Sequence, residues 1–239
     1  MVVARAVGTA LVLLLAWRMW AILPRRWRQK SAQQRAQSPP QKTSASSPPA
    51  AGRPGRKVNT LVVLGSGGHT SEMLKLTSRL SPETYSPLCY VVASTDHTSA
   101  DRIPKEGLVS GRCRVRTIPR SREVGQSYLT SVLTTLLAGL HAAVVVVTVR
   151  PDLVLVNGPG EQTSIGRRTC IPVCVAASAL RFFGLGSSCS RTIFCESFCR
   201  VKSLSLSGRI MYLLADRFVV HWPELLVKYP RAEYAGQLM

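Results

Sequence analysis

The pattern of apolar and polar positions changes twice along the chain. Residues 2–23 are apolar apart from Arg5 and Arg18, about the length that spans a bilayer as a helix. Residues 31–57 are rich in Ser, Pro, Gln and Ala and hold too little apolar content to build a core. At residue 58 a short run rich in β-branched side chains begins, Val-Asn-Thr-Leu-Val-Val-Leu, and stops at Gly65; it reads as a strand buried on both faces. A glycine-rich loop follows, then a segment with Met73, Leu76 and Leu80 at helical spacing. Further strand-like runs lie at 88–93, 152–156, 192–195 and 217–220, and helix-like stretches at 126–149, 170–183 and 203–215. Such alternation predicts one α/β domain, a doubly wound parallel sheet of Rossmann-like type, behind a single N-terminal transmembrane helix.

Residues 129–149 are apolar enough to raise a second span. Thr130, Ser131, Thr134, Thr135, His141 and Thr148 dilute the stretch, and Pro151-Asp152 launches the next strand directly. A largely buried helix with one face on the membrane fits better.

Charge adds direction. The formal net charge is +19, and residues 1–57 carry eleven Lys or Arg with no acid. Beyond them twenty basic groups face twelve acidic ones, so the folded part itself suits an anionic partner: nucleic acid, a phosphorylated lipid or a nucleotide sugar. Nine basic residues follow the span between positions 24 and 57 against Arg5 before it, which places the remainder of the chain in the cytosol. Trp17, Trp20 and Trp27 suit the interfacial belt, and the basic flank after the span favours an uncleaved anchor over a signal peptide. Seven cysteines, an odd number, and no Asn-x-Ser/Thr acceptor agree with a reducing compartment. The Cys170/Cys174 and Cys195/Cys199 spacings differ from those of zinc knuckles, so no metal site is expected. The expected organisation is an anchor at 1–23, a basic disordered linker at 24–57 and a cytosolic domain at 58–239.

The loop carries the candidate chemistry. Gly65, Ser66, Gly67 and Gly68 let backbone amides approach a ligand, and the helix starting near Thr70 aims its unpaired N–H groups at the same place, an anion cradle or simply a tight turn. Thr70 stands where the dinucleotide fingerprint needs glycine, the P-loop Lys-Ser/Thr pair is absent, and Asp96 comes late for a ribose-binding acid. A nucleotide-dependent oxidoreductase is therefore disfavoured. His69 at the loop–helix junction either takes a proton from a sugar hydroxyl or merely caps the helix.

The stretches LGSGGHTSEML (64–74), IPRSREV (118–124), PDLVLVNGPG (151–160) and ESFCRV (196–201), ending in HWP (221–223) and KYP (228–230), occur in this order. They resemble the successive signatures of the membrane-anchoring subunit of the UDP-N-acetylglucosamine transferase of asparagine-linked glycosylation. The glycine loop with His69 is also similar to the N-terminal half of the bacterial transferase that makes the second lipid-linked peptidoglycan precursor. The resemblance implies a GT-B architecture split over two chains, with this one as the acceptor-facing half. A soluble catalytic partner would then bind most of the UDP-N-acetylglucosamine. The reaction implied adds the second N-acetylglucosamine, β1-4 and with inversion, to dolichyl diphosphate N-acetylglucosamine on the cytosolic face of the endoplasmic reticulum membrane, without cofactor or nucleic acid.

On that reading Gly65, Ser66, Gly67, Gly68 and Thr70 form the diphosphate loop and His69 is the base. Arg120 and Arg122 clamp acceptor phosphate or belong to a solvated loop, and Asn157, Gly158 and Gly160 line the ligand edge after a strand. Glu196 bonds a sugar hydroxyl or pairs with Arg200. A departure from the family pattern is the run 161–168, which separates the Asn157 turn from Thr169. Residues 222–239 either dock the partner through Leu225, Leu226, Val227, Tyr229 and Tyr234 or pack back on the domain. The rival reading is a membrane scaffold that recruits a soluble transferase and contributes no active-site residue.

Overall fold

The structure, a computed structural model, describes residues 56–119, 128–158, 169–183 and 190–236. The chain divides between Ser47 and Pro48, and every described residue lies in the C-terminal unit. The expected anchor at 1–23, the linker to residue 55, Arg120, Arg122, Gly160 and the run 161–168 lie outside the described residues. No helix among the described residues is long and apolar enough to cross a membrane.

The described strands are β1 (Thr60–Val63), β2 (Leu88–Ala93), β3 (Cys113–Ile118), β4 (Leu153–Asn157), β5 (Arg191–Cys195), β6 (Arg217–Val220) and β7 (Glu233–Tyr234). They form one parallel sheet in the order β3-β2-β1-β4-β5-β6-β7. From β1 the chain builds outward to β3, then crosses back and builds from β4 to the other edge, the doubly wound order. Side chains alternate between two cores, as period-two backbone requires. Leu61, Val63, Cys89, Val91, Val154 and Val156 face one; Val62, Leu64, Tyr90, Val92 and Leu155 face the other. Helix α1 (Gly68–Ser78) seals the second core with Met73, and Ile103 joins it between the short helices α2 (His97–Asp101) and α3 (Lys105–Val109). Burying a side chain the size of Met73 stabilises by roughly 1.5–3 kcal/mol.

The first core is covered by α4 (Tyr128–Val149), α5 (Cys170–Phe183), α6 (Leu206–Leu214) and α7 (Glu224–Lys228). In α4, Ala138, Ala142 and Val146 recur every four residues and are buried, and the helix lies beside α5. Its outer side shows Leu133, Leu136, Leu137, Leu140, Val144 and Val147 to the exterior. The stretch is thus half a core helix and half an uncovered apolar stripe, without one Asp, Glu, Lys or Arg along its 22 residues.

For most of the C-terminal part the packing agrees with the second alternative, a return onto the domain. Leu225 is in the core, Leu226 and Tyr229 pack against it, and Tyr212 meets the Tyr229 ring edge-on at 5.6 Å. Arg217 Nε donates to Glu233 at 2.9 Å and ties β7 beside β6. Of the five proposed docking residues only Val227, 87% exposed, and Tyr234 remain on the surface. Leu225 and Leu226 pack inward because α7 needs an apolar side, and Tyr229, just past its end, packs partly buried against the same core.

Candidate functional site

Between β1 and β4 the chain reverses its building direction, and in doubly wound sheets ligands occupy the crevice beyond the carboxyl ends of such a strand pair. The loop leaving β1 and the residue ending β4 meet there. Asn157 Nδ2 donates to the His69 carbonyl at 2.8 Å, so the last residue of β4 holds the first turn of α1. Gly65 permits this closeness, since a Cβ there would lie 3.1 Å from His69 Cβ and 3.8 Å from Asn157 Oδ1.

Gly67 occupies the N-cap of α1 with φ 68°, a left-handed conformation that costs other residues strain, and no side chain bonds the cap. Added Cβ atoms at Gly67 or Gly68 would meet nothing within 4 Å, and Ser66 is exposed. The start of α1 therefore faces open space, the arrangement an anion needs to reach the helix amides.

Thr70 holds this loop from behind together with Asp96 and Ser99, of which Ser99 had no role in the sequence reading. The Gly65 carbonyl accepts from the Thr70 hydroxyl and lies 3.2 Å from Ser99 Oγ, which is itself 2.6 Å from Thr70 Oγ1. Asp96, too late in the chain for a ribose acid, caps α2 by accepting from Ser99 N at 3.1 Å and lies 2.7 Å from the Ser99 hydroxyl. Thr70, Ser99 and Asp96 are buried, so the network fixes the peptide after β1 in a low-dielectric setting where such bonds are strong. On the open side, exposed Arg102 donates from Nη1 to the Gly67 carbonyl and to Ser71 Oγ, each at 3.2 Å, which keeps a cation at the loop's rim. The signal for Ser99 and Asp96 was their buried polar character beyond the end of β2, invisible until β2 is placed beside β1.

The His69 ring has an acidic neighbour on its own helix. Its Nδ1 lies 3.0 Å from Glu72 Oε2, one helical turn on. Glu196, expected to bond a sugar hydroxyl or pair with Arg200, is only 1% exposed. Its oxygens accept from Ser197 N at 3.0 Å and from Ser205 N at 3.1 Å, with the Ser205 hydroxyl at 3.3 Å. Burial pushes this carboxyl above the usual range, while the Ser197 and Ser205 donors and the Arg200 charge pull it back. The carboxylate braces the 197–205 turn rather than facing the crevice, because the chain turns inward as it leaves β5.

Two distant glycines fold around that brace. A Cβ at Gly158 would lie 2.3 Å from Glu196 Oε1, and one at Gly208 would lie 2.0 Å from Oε2. Either alanine must push the carboxylate off its donors. Gly158→Ala or Gly208→Ala is expected to cost about 2–5 kcal/mol, overpacking plus buried N–H groups left unpaired. Gly139→Ala, where a Cβ meets nothing within 4 Å, should gain a few tenths or more instead. Urea midpoints of the three variants check this ranking.

The structure thus brings Gly65, Gly67, Gly68, His69, Thr70 and Asn157 together, and leaves Gly158 beside Glu196 in the supporting layer. Residues 60–238 match the family described as "Oligosaccharide biosynthesis protein Alg14 like". The chain is 42% identical over 195 residues to the UDP-N-acetylglucosamine transferase subunit ALG14 of Rattus norvegicus, covering 78% of this chain and 85% of that one. It is similar at 41% identity to the subunit of the same name from Homo sapiens, with the same coverage of both chains. To the Schizosaccharomyces pombe protein, UDP-N-acetylglucosamine transferase subunit alg14, it is 40% identical over 181 residues, 74% of this chain and 81% of the other.

Proposed function

The chain belongs to the Alg14-like family of oligosaccharide-biosynthesis proteins, and from that premise we propose that it is the acceptor-side, membrane-anchoring subunit of a two-part UDP-N-acetylglucosamine transferase. The observation that carries the reading is the open glycine loop at the switch point, with the His69 ring at the first turn of α1. The proposed reaction is GT-B transfer of N-acetylglucosamine, β1-4 and with inversion, to dolichyl diphosphate N-acetylglucosamine. The loop amides and Arg102 receive acceptor diphosphate, and His69 takes the proton of the attacking hydroxyl. A soluble partner supplies most of the UDP-sugar contacts.

The assignment of sides has a direct test in the assembled complex. Arg102→Ala is expected to raise KM for the lipid acceptor by about tenfold, the worth of one charge-assisted bond, with KM for UDP-N-acetylglucosamine within twofold. A rise confined to the donor would reverse the assignment.

The proposed setting is the endoplasmic reticulum membrane, with residues 1–23 as a single anchor and the domain in the cytosol. The basic run after the span supports it, as does the apolar stripe of α4, which suits a bilayer surface. Protease added outside sealed microsomes should digest the chain beyond about residue 30, the end of that span and its basic flank. A protected domain would reverse the topology.

A further inference from the structure

Within this site, and resting on the reading of His69 as the base, we propose that Glu72 is a positioning residue that fixes the tautomer and tilt of the His69 ring and stabilises its charge after proton uptake. Glu72 Oε2 lies 3.0 Å from His69 Nδ1, and the two side chains are only 17% and 19% exposed. A carboxylate is an acceptor only, so Nδ1 carries the hydrogen of the neutral ring and the lone pair lies on Nε2. The backbone under the ring is held independently: Asn157 grips the His69 carbonyl at 2.8 Å, and Gly65 leaves room for its Cβ. Glu72 therefore acts on the ring itself, through Nδ1.

The step it serves is balanced. The proton of the acceptor hydroxyl passes to Nε2, and the oxygen's electron pair forms the bond to C1 of the donor sugar. The C1–O bond to the diphosphate breaks, its pair leaving on UDP. At that moment the imidazole becomes a cation 3.0 Å from a carboxylate already in place, the base-with-orienting-group arrangement that recurs in nucleophilic catalysis. A merely structural pair at i,i+3 on a helix contributes little and touches no reaction step.

The test uses the full chain with its partner in detergent or vesicles. Glu72→Gln should lower kcat by about 10- to 100-fold, less than the roughly 10⁴-fold for a fully buried triad carboxylate because this one is partly solvated. KM for both substrates should stay within twofold and co-purification should be unchanged. Glu72→Asp, which keeps the charge, should recover part of the loss, and it serves as the working variant if the glutamine form fails to assemble. In the His69→Ala background, Glu72→Gln should change nothing further. A wild-type kcat for Glu72→Gln, a loss that multiplies with His69→Ala, or a loss seen in KM alone would overturn the proposal. If His69→Ala itself turns over normally, the base reading falls and this one with it, whereas a slow His69→Ala beside a normal Glu72→Gln removes Glu72 alone.

Discussion

Purified without its partner, the chain is expected to transfer no N-acetylglucosamine above background from UDP-N-acetylglucosamine to a dolichyl or phytanyl diphosphate acceptor. The described residues build one sheet, and its ligand edge is a single wall formed by the β1 loop, Asn157 and Arg102. An inverting displacement needs the acceptor hydroxyl, C1 and the departing diphosphate in line. Orientation of that kind accounts for about 7–11 kcal/mol of barrier reduction, and one wall supplies only the acceptor's share. Adding the soluble partner should restore turnover with saturation. Truncation at His221 is a poor test of docking, because Leu225 and Ala232 belong to the core and would leave with the tail. Val227→Asp and Tyr234→Asp change only exposed positions, and if the tail docks they should weaken recruitment by about tenfold or more. Robust transfer by the lone chain would sink the split-enzyme reading.

Strands β1, β2, β4, β5 and β6 were legible because a strand covered on both faces must be apolar throughout, and their sequences leave no alternative. β3 was not. As an edge strand it shows Arg114, Arg116 and Thr117 to the exterior, and charges on an edge blunt the apolar signal while guarding against mispairing. The five-residue helices α2, α3 and α7 are too short for helical periodicity to accumulate. The glycine loop and Asn157 could be found because they depend on backbone shape and position at a strand's end. The surroundings of Glu196 were not legible for the complementary reason: the Arg200 charge acts on it as one alternative had it, but Gly158 and Gly208, which close around the carboxylate, meet it only after folding. Glu72 had a visible signal, its i+3 spacing from His69 on the opening turn of a helix, but the sequence does not show how the imidazole ring is turned.

His69→Ala is expected to lower kcat by about 10² to 10⁴ in the assembled complex, the range for loss of a general base. The substitution isolates the ring. Asn157 bonds the His69 backbone carbonyl rather than its side chain, and alanine keeps the Cβ that approaches Gly65, so the crevice and the loop keep their supports. The Thr70–Ser99–Asp96 network behind the loop is built from other side chains. What is lost is the acceptor for the hydroxyl proton and a partner for Glu72, whose carboxylate is partly solvated and tolerates the change. KM for the lipid acceptor should therefore stay within a few fold, because loop amides and Arg102 receive its diphosphate, and the fall should appear in kcat. Radiolabelled sugar transfer at saturating substrates, beside a urea midpoint and co-purification with the partner, separates chemistry from folding. A scaffold that only recruits a transferase predicts a different outcome: undiminished kcat for His69→Ala, with the partner bound as before.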